Sequence, residues 1–177
     1  MLDANGLYDV KIEHIRGELT DHYDPRENVI RLSDSVYNSI STAAVGVACH
    51  EAGHAVQYAK GYFPIRVRSS IIPATRFGSM LAFPLFFIGL LFASDLLMLT
   101  GIVLYSLVSL FQLVTLPVEF NASARALQSI RASGILDPQE YDASKRVLSA
   151  AAMTYVAALA TSLLSLLRLL VIANRRR

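Results

Sequence analysis

Val47-Ala48-Cys49-His50-Glu51-Ala52-Gly53-His54-Ala55-Val56 places two histidines four residues apart, with a glutamate directly after the first. On a helix, positions four apart project from one face, so His50 and His54 can both turn a ring nitrogen toward a single cation. Neutral imidazole suits zinc, which in hydrolytic sites takes three protein ligands and keeps a fourth position for water. Glu51 is then placed to take a proton from water that the metal has acidified. Its expected role is general base, not ligand. The run from Thr42 to Lys60 is alanine-rich and free of proline, with Ser41 suited to cap its start and Gly61 to stop it. Gly46 and Gly53 each cost a helix roughly 1 kcal/mol relative to alanine, so another backbone is expected to approach closely. Cys49 lies about 100° around the helix from His50 and is expected to point away from the metal, as a small buried apolar residue.

The rest of the chain must supply a third ligand and a setting. Of its 177 residues 54% are hydrophobic, and the mean hydropathy is +0.44. That exceeds what a soluble domain of this size needs and points to lipid. The net charge of +2 indicates no particular partner. Basic residues are mostly interleaved with acids, so no nucleic-acid partner is expected. The single cysteine excludes an internal disulfide and a cysteine-rich metal site. The opening MLDANGLYDVKIEH carries charges where a signal peptide would be apolar.

Upstream of the motif, Val10 to Ile15 alternates apolar and polar residues, as a half-buried strand does. Asp21-His22-Tyr23, a turn at Asp24-Pro25-Arg26-Glu27-Asn28, and Val29 to Leu32 suggest a β-hairpin, and Ser33-Asp34 a short helix after it. Downstream, uncharged apolar runs cover Phe77 to Ala93, Leu96 to Val118 and Val147 to Leu167. A bilayer core of about 30 Å needs roughly 20 helical residues. The first run is short but extends toward Ile71 if Arg76 snorkels. Ser94-Asp95 reads as a tight turn, and Gly134 with Asp137-Pro138 as a helix break and restart. The expected organisation is therefore a catalytic α+β region over 1–70, a transmembrane helical hairpin over 71–118, a helical segment over 119–146 and a transmembrane helix over 147–174. The expected fold class is a mainly α membrane protein: a small α+β zincin-like catalytic unit with a β-hairpin, plus about three transmembrane helices.

Two candidates remain for the third ligand. His22 belongs to the hairpin, where a histidine is more often a surface residue or a substrate contact; a carboxylate comes first. Glu119 follows an uncharged span directly, in Leu116-Pro-Val-Glu-Phe-Asn-Ala-Ser123. Any chain leaving a membrane soon meets a charge, and position alone slightly favours that plain explanation. An anionic residue on a helix that packs against the motif would, however, gain strongly from a divalent cation. Ser123 shares the face of Glu119 and could hydrogen-bond it. Ala122 and Ala124 would let two helices approach, and Pro117 could bend the span toward the metal.

The HEAGH stretch, TDHYDP at 20–25 and FQLVTLPVEFNAS at 111–123, taken in that order, resemble the YugP-type family of membrane neutral zinc metallopeptidases. The resemblance covers essentially the whole chain. The family is gluzincin-like and distantly similar to HtpX-like membrane proteases, with a small, mainly helical catalytic unit attached to membrane helices. The resemblance implies a Zn2+ cofactor, His50 and His54 as zinc histidines, Glu51 as the catalytic glutamate and Glu119 as the third ligand. HtpX-like proteins commonly have an aspartate where this chain has Ser123. Family members also usually carry an apolar segment ahead of the point where this chain starts, so a shortened form lacking one anchor is the expectation.

The function expected is a membrane-bound zinc metalloendopeptidase that acts at the membrane surface on peptide or membrane-protein substrates. An extended peptide could add to the sheet edge at Val29-Ile30-Arg31. His22, Tyr23, Arg125 and Tyr155 are candidate donors to the developing oxyanion. Most lysines and arginines lie on the side bearing the zinc motif, which favours a multi-pass cell-membrane protein with a cytoplasmic catalytic face. Three full crossings would send Arg175-Arg176-Arg177 to the opposite side. The rival is a catalytically silent zinc-binding membrane scaffold or regulator, although structural zinc usually has four protein ligands.

Overall fold

The computed structural model describes residues 1–175; Arg176 and Arg177, part of the orientation question, lie outside them. It is mainly helical, with one small sheet. After a 3-10 turn at Asp3–Asn5 come strands β1 (Lys11–His14), β2 (His22–Asp24) and β3 (Val29–Leu32). Helices α1 (Asp34–Tyr37), α2 (Thr42–Ala59), α3 (Phe63–Leu91), α4 (Asp95–Ser133) and α5 (Pro138–Asn174) follow. Two compact units divide the chain: Met1–Ile65 with Val118–Met153, and Arg66–Pro117 with the chain from Thr154 onward.

In the first unit, β2 and β3 form the expected hairpin, antiparallel, with Tyr23 opposite Ile30. Asp24 Oδ1 accepts a hydrogen bond from the Arg26 amide at 2.8 Å, and Asn28 takes a left-handed φ of 54°, both habits of turn residues. β1 lies parallel to β3 on its other side, giving the order β1-β3-β2. Two expectations change here. β1 is exposed along its whole length, Ile12 to 53%, because alternation marks two faces of a strand but does not supply a layer to cover one. Val29 to Leu32 forms the central strand, with a neighbour on both sides. Its backbone is already paired, so no peptide can add there, and the free edges belong to β1 and β2. Ile30, Leu32 and Val36 form the core with Ala44 and Ala52 of α2.

α2 begins and ends as its sequence dictates. Ser41 Oγ accepts a hydrogen bond from the Ala44 amide at 3.2 Å, and Gly61 closes the helix with a φ of 63°. At Gly53 a Cβ would sit 2.7 Å from the Ala122 carbonyl oxygen of α4. Only glycine permits that approach of two helices, and it sets α2 against the segment after Pro117.

α3, α4 and α5 are each long and apolar enough to cross a membrane. At 29 residues, α3 measures about 43 Å at 1.5 Å per residue, longer than the expected span because it starts at Phe63. α4 continues through Pro117 into the segment expected as a separate helix. The missing N–H and the ring clash cost about 3 kcal/mol or more, a penalty opposed by the burial of Val118, Ala122 and Ala126, all fully inaccessible. Within the second unit, α3 and α4 pack through Ala82, Phe86, Met98, Ile102 and Tyr105, joined by Leu169 of α5. A Cβ at Gly101 would lie 2.6 Å from the Ala82 carbonyl, the small-residue contact that membrane helices favour. Phe77, Met80, Phe87, Leu99 and Val103 face outward, as lipid contact requires.

Candidate metal centre

One face of α2 and one face of α4 build the cluster. His50 and His54 lie a turn apart on α2, their ring centroids 4.8 Å from each other and the rings nearly perpendicular. Glu119, one residue beyond Val118 on α4, is only 2% exposed. Its Oε2 lies 3.2 Å from His50 Nε2 and 3.7 Å from His54 Nε2. One ligand atom from each of the three residues falls within 4.8 Å of the others. Neither His14 nor His22 joins this group.

The donor set suits zinc. Two imidazole nitrogens and one carboxylate oxygen are all donors that zinc takes, and about 2.1 Å to each in tetrahedral geometry would separate the ligand atoms by about 3.4 Å. The separations at Glu119 bracket that value. A carboxylate this deeply buried also needs positive charge nearby. In the metal-free protein the His54 ring supplies some of it whenever it is protonated. Burial alone pushes the His54 pKa down, but the adjacent Glu119 carboxylate, the charge of Glu51 and the Gln57 contact outweigh burial and raise it above 6.5.

Glu51 is buried, 8% exposed, on the same helix and close enough for its charge to act on His54. Ser123 does not pair with Glu119 as its spacing suggested. Its Oγ lies 3.0 Å from His50 Nδ1, since the ring stands between α2 and α4 and offers a polar atom closer to hand. Gln57 was not singled out from the sequence. It is fully buried, and its Oε1 lies 3.0 Å from His54 Nδ1. Its Nε2 donates to Val118 O at 2.8 Å and Asn121 Oδ1 at 3.0 Å. The available signal was an isolated amide three residues after His54 in an apolar stretch, hence on the histidine's face.

Three of the candidate oxyanion donors make hydrogen bonds of their own. Tyr23 donates its hydroxyl to Asn28 Oδ1 at 2.7 Å, and burial, with Tyr58 and Asp24, raises its pKa. His22 Nδ1 lies 2.7 Å from the Thr20 carbonyl. Arg125 Nε donates to Asn121 Oδ1 at 2.8 Å. Tyr155 belongs to the second unit. Cys49, on another face of α2, lines an apolar cavity of about 300 Å³ with Ile12, Ile30 and Leu32. It is only partly buried, and desolvation raises its thiol pKa against the opposing effect of the terminal ammonium.

Three apolar helices long enough to cross a membrane, and two histidines and a buried glutamate that could hold a metal ion beside the HExxH glutamate, are the combination a membrane metallopeptidase would need. Over residues 1–174 the chain matches the family described as "Putative neutral zinc metallopeptidase", and it belongs to that family. Zinc is the ion this membership implies. The "Putative membrane protease YugP" of Bacillus subtilis (strain 168) is 50% identical over 172 residues, which cover 97% of this chain and 76% of that protein. No solved structure matches the chain.

Proposed function

We propose that this protein is a membrane-bound zinc endopeptidase in which His50, His54 and Glu119 hold the metal and Glu51 is the general base. The observation that carries the reading is the direction of both histidine Nε2 atoms toward one oxygen of buried Glu119. Zinc, when bound, acts as a Lewis acid that acidifies water and polarises a carbonyl. Glu51 accepts a proton from the attacking water and returns it to the leaving amine, a transfer that typically contributes 10²–10⁴-fold to the rate. The packing of α2 on α4 through Gly53 and Ala122 keeps the two histidines and Glu119 in register, so little reorganisation accompanies the reaction.

The substrate class proposed is peptide segments of membrane or misfolded proteins reached at the bilayer surface, because Glu119 directly follows the apolar half of α4. The proposed setting is the cell membrane, crossed more than once, with a cytoplasmic catalytic face favoured by the excess of lysine and arginine on the side of the zinc motif. Metal analysis and a casein-type assay in detergent, on wild type and Glu51→Gln, test the enzyme reading. Wild type should contain about one zinc per chain and cleave; Glu51→Gln should keep the zinc and lose cleavage. Equal folding and zinc content with no cleavage by either protein would favour a silent scaffold. Cysteine labelling from either side of inverted vesicles, at sites placed in the β2–β3 turn, tests the orientation.

A further inference from the structure

We infer that Gln57 is a positioning residue that fixes the tautomer of His54, as the last link of a hydrogen-bond relay running Arg125–Asn121–Gln57–His54; the inference rests on the zinc reading above. The relay can be followed atom by atom. A guanidinium N–H only donates, so Arg125 Nε, 2.8 Å from Asn121, fixes that contact atom as the amide oxygen Oδ1. The Val118 main-chain carbonyl only accepts. Gln57 thus faces two acceptors at one end, Val118 O and Asn121 Oδ1, and must present its NH2 group to them. The other end of its amide, the oxygen Oε1, is then left toward His54 Nδ1 at 3.0 Å. An amide oxygen cannot donate, so Nδ1 carries the hydrogen. The lone pair of the neutral ring falls on Nε2, the nitrogen turned to Glu119.

The other ring, His50, has no such partner at Nδ1: it meets the Ser123 hydroxyl there, which can donate or accept, and its constraint comes instead from Glu119 Oε2, an acceptor 3.2 Å from His50 Nε2. The neutral ring with hydrogen on Nε2 cannot ligate through that atom. The relay removes this form for His54 before any metal arrives, and Gln57, being fully buried, has no water to turn toward. Groups that act on a ligand histidine in this way typically change metal affinity 10–100-fold.

The experiment uses the full chain in detergent with ¹⁵N-labelled histidine. In metal-free wild type at alkaline pH, His54 should show nitrogen shifts of the Nδ1–H tautomer. In Gln57→Met, which keeps the volume but loses the amide, the Nε2–H form should become dominant. Zinc affinity, read by chelator competition, should fall about 10–100-fold. Asn121→Ala should move both readouts the same way, by less. An Nε2–H tautomer in wild type overturns the inference without any variant, and so decides the matter even if Gln57→Met does not fold. A folded Gln57→Met with unchanged tautomer and zinc affinity overturns it as well. Wild type that takes up no zinc sinks the zinc reading and this inference with it. Zinc uptake with the wrong tautomer sinks the inference alone.

Discussion

The two halves of α4 share one helix and one periodicity but bury different chemistry. From Asp95 to Pro117 the buried face is mostly apolar, with Met98, Ile102 and Tyr105 packed on Ala82 and Phe86. The hydroxyls of Ser109 and Thr115 are buried there without a hydrogen-bond partner among the described residues. From Val118 to Ser133 the buried face interleaves Val118, Ala122 and Ala126 with Glu119 and Ser123, and the polar groups meet His50 and His54. An error of packing in the first half leaves a void or a clash. In the second half it can leave a charge without a partner, which costs far more. The small residues serve both halves alike, by bringing backbones close.

The sharpest way to break this contrast is to make the second half resemble the first. Glu119→Leu replaces the buried carboxylate with an apolar side chain of similar size. Zinc affinity should fall by more than about 100-fold, beyond what the loss of an outer partner does, and cleavage should disappear. The metal-free protein should stay folded, because His50 and His54 can become neutral once the carboxylate is gone, but it should lose the stabilisation at low pH that Glu119 gives to protonated His54. Metal analysis and circular dichroism check both. Retained zinc and activity would reduce Glu119 to a structural carboxylate.

A matched pair of glycine substitutions tests what the halves have in common. At Gly53 a Cβ would meet Ala122 O at 2.7 Å, and at Gly101 it would meet Ala82 O at 2.6 Å. In both cases the obstacle is backbone, which cannot swing aside. Gly53→Ala and Gly101→Ala should each destabilise by about 1–3 kcal/mol, seen as a lower thermal midpoint. Only Gly53→Ala should also weaken zinc binding, by several-fold, since Ala122 lies between Glu119 and Ser123 on α4. Equal zinc affinity in the two variants would show that helix spacing at the cluster is not critical.

The polar half should also be the pH-sensitive one. The folded-state pKa of His54 is raised above 6.5 by Glu119, Glu51 and Gln57 against the effect of burial. Its protonated form therefore stabilises the metal-free fold fully below about pH 6.5, and that contribution is lost as pH rises through the raised value. Zinc needs the neutral ring, so its affinity should rise over the same window. The difference in thermal midpoint between zinc-loaded and metal-free protein should accordingly widen as pH increases from 6 to 8. A constant difference would mean that no ligand proton is displaced.

How much of this was legible in the sequence depends on distance along the chain. The spacing of His50 and His54 needs only one helix, and Ser41, Gly61 and Pro138 mark helix ends through local chemistry. Glu119 stood out because it follows a long uncharged run, yet spacing alone could not set it apart from any first charge after a membrane span. Sheet order was not legible: alternation in Val10 to Ile15 cannot tell a covered strand from the exposed edge that β1 became. Gln57 and the true partner of Ser123 were missed for a related reason. Hydrogen bonds between α2 and α4 depend on which helices meet, and that is decided by small residues such as Gly53 and Ala122, whose meaning appears only when both helices are in place.

The smallest expected effect concerns a helix end outside the cluster. Asp137 Oδ1 accepts a hydrogen bond from the Glu140 amide at 2.8 Å, and Glu140 Oε2 accepts one from the Asp137 amide at 3.0 Å. Together they form a reciprocal capping box at the start of α5, with Pro138 in the first helical position. Asp137→Ala removes one half and should cost about 1 kcal/mol, a fall of about 2–4 °C in thermal midpoint for a chain of this size. Zinc affinity and cleavage should not change, because neither residue contacts His50, His54 or Glu119. A larger loss of stability together with weaker zinc binding would mean that the start of α5 and the α2–α4 packing melt as one unit, and the distinction between local and cluster-borne stability would have to be given up.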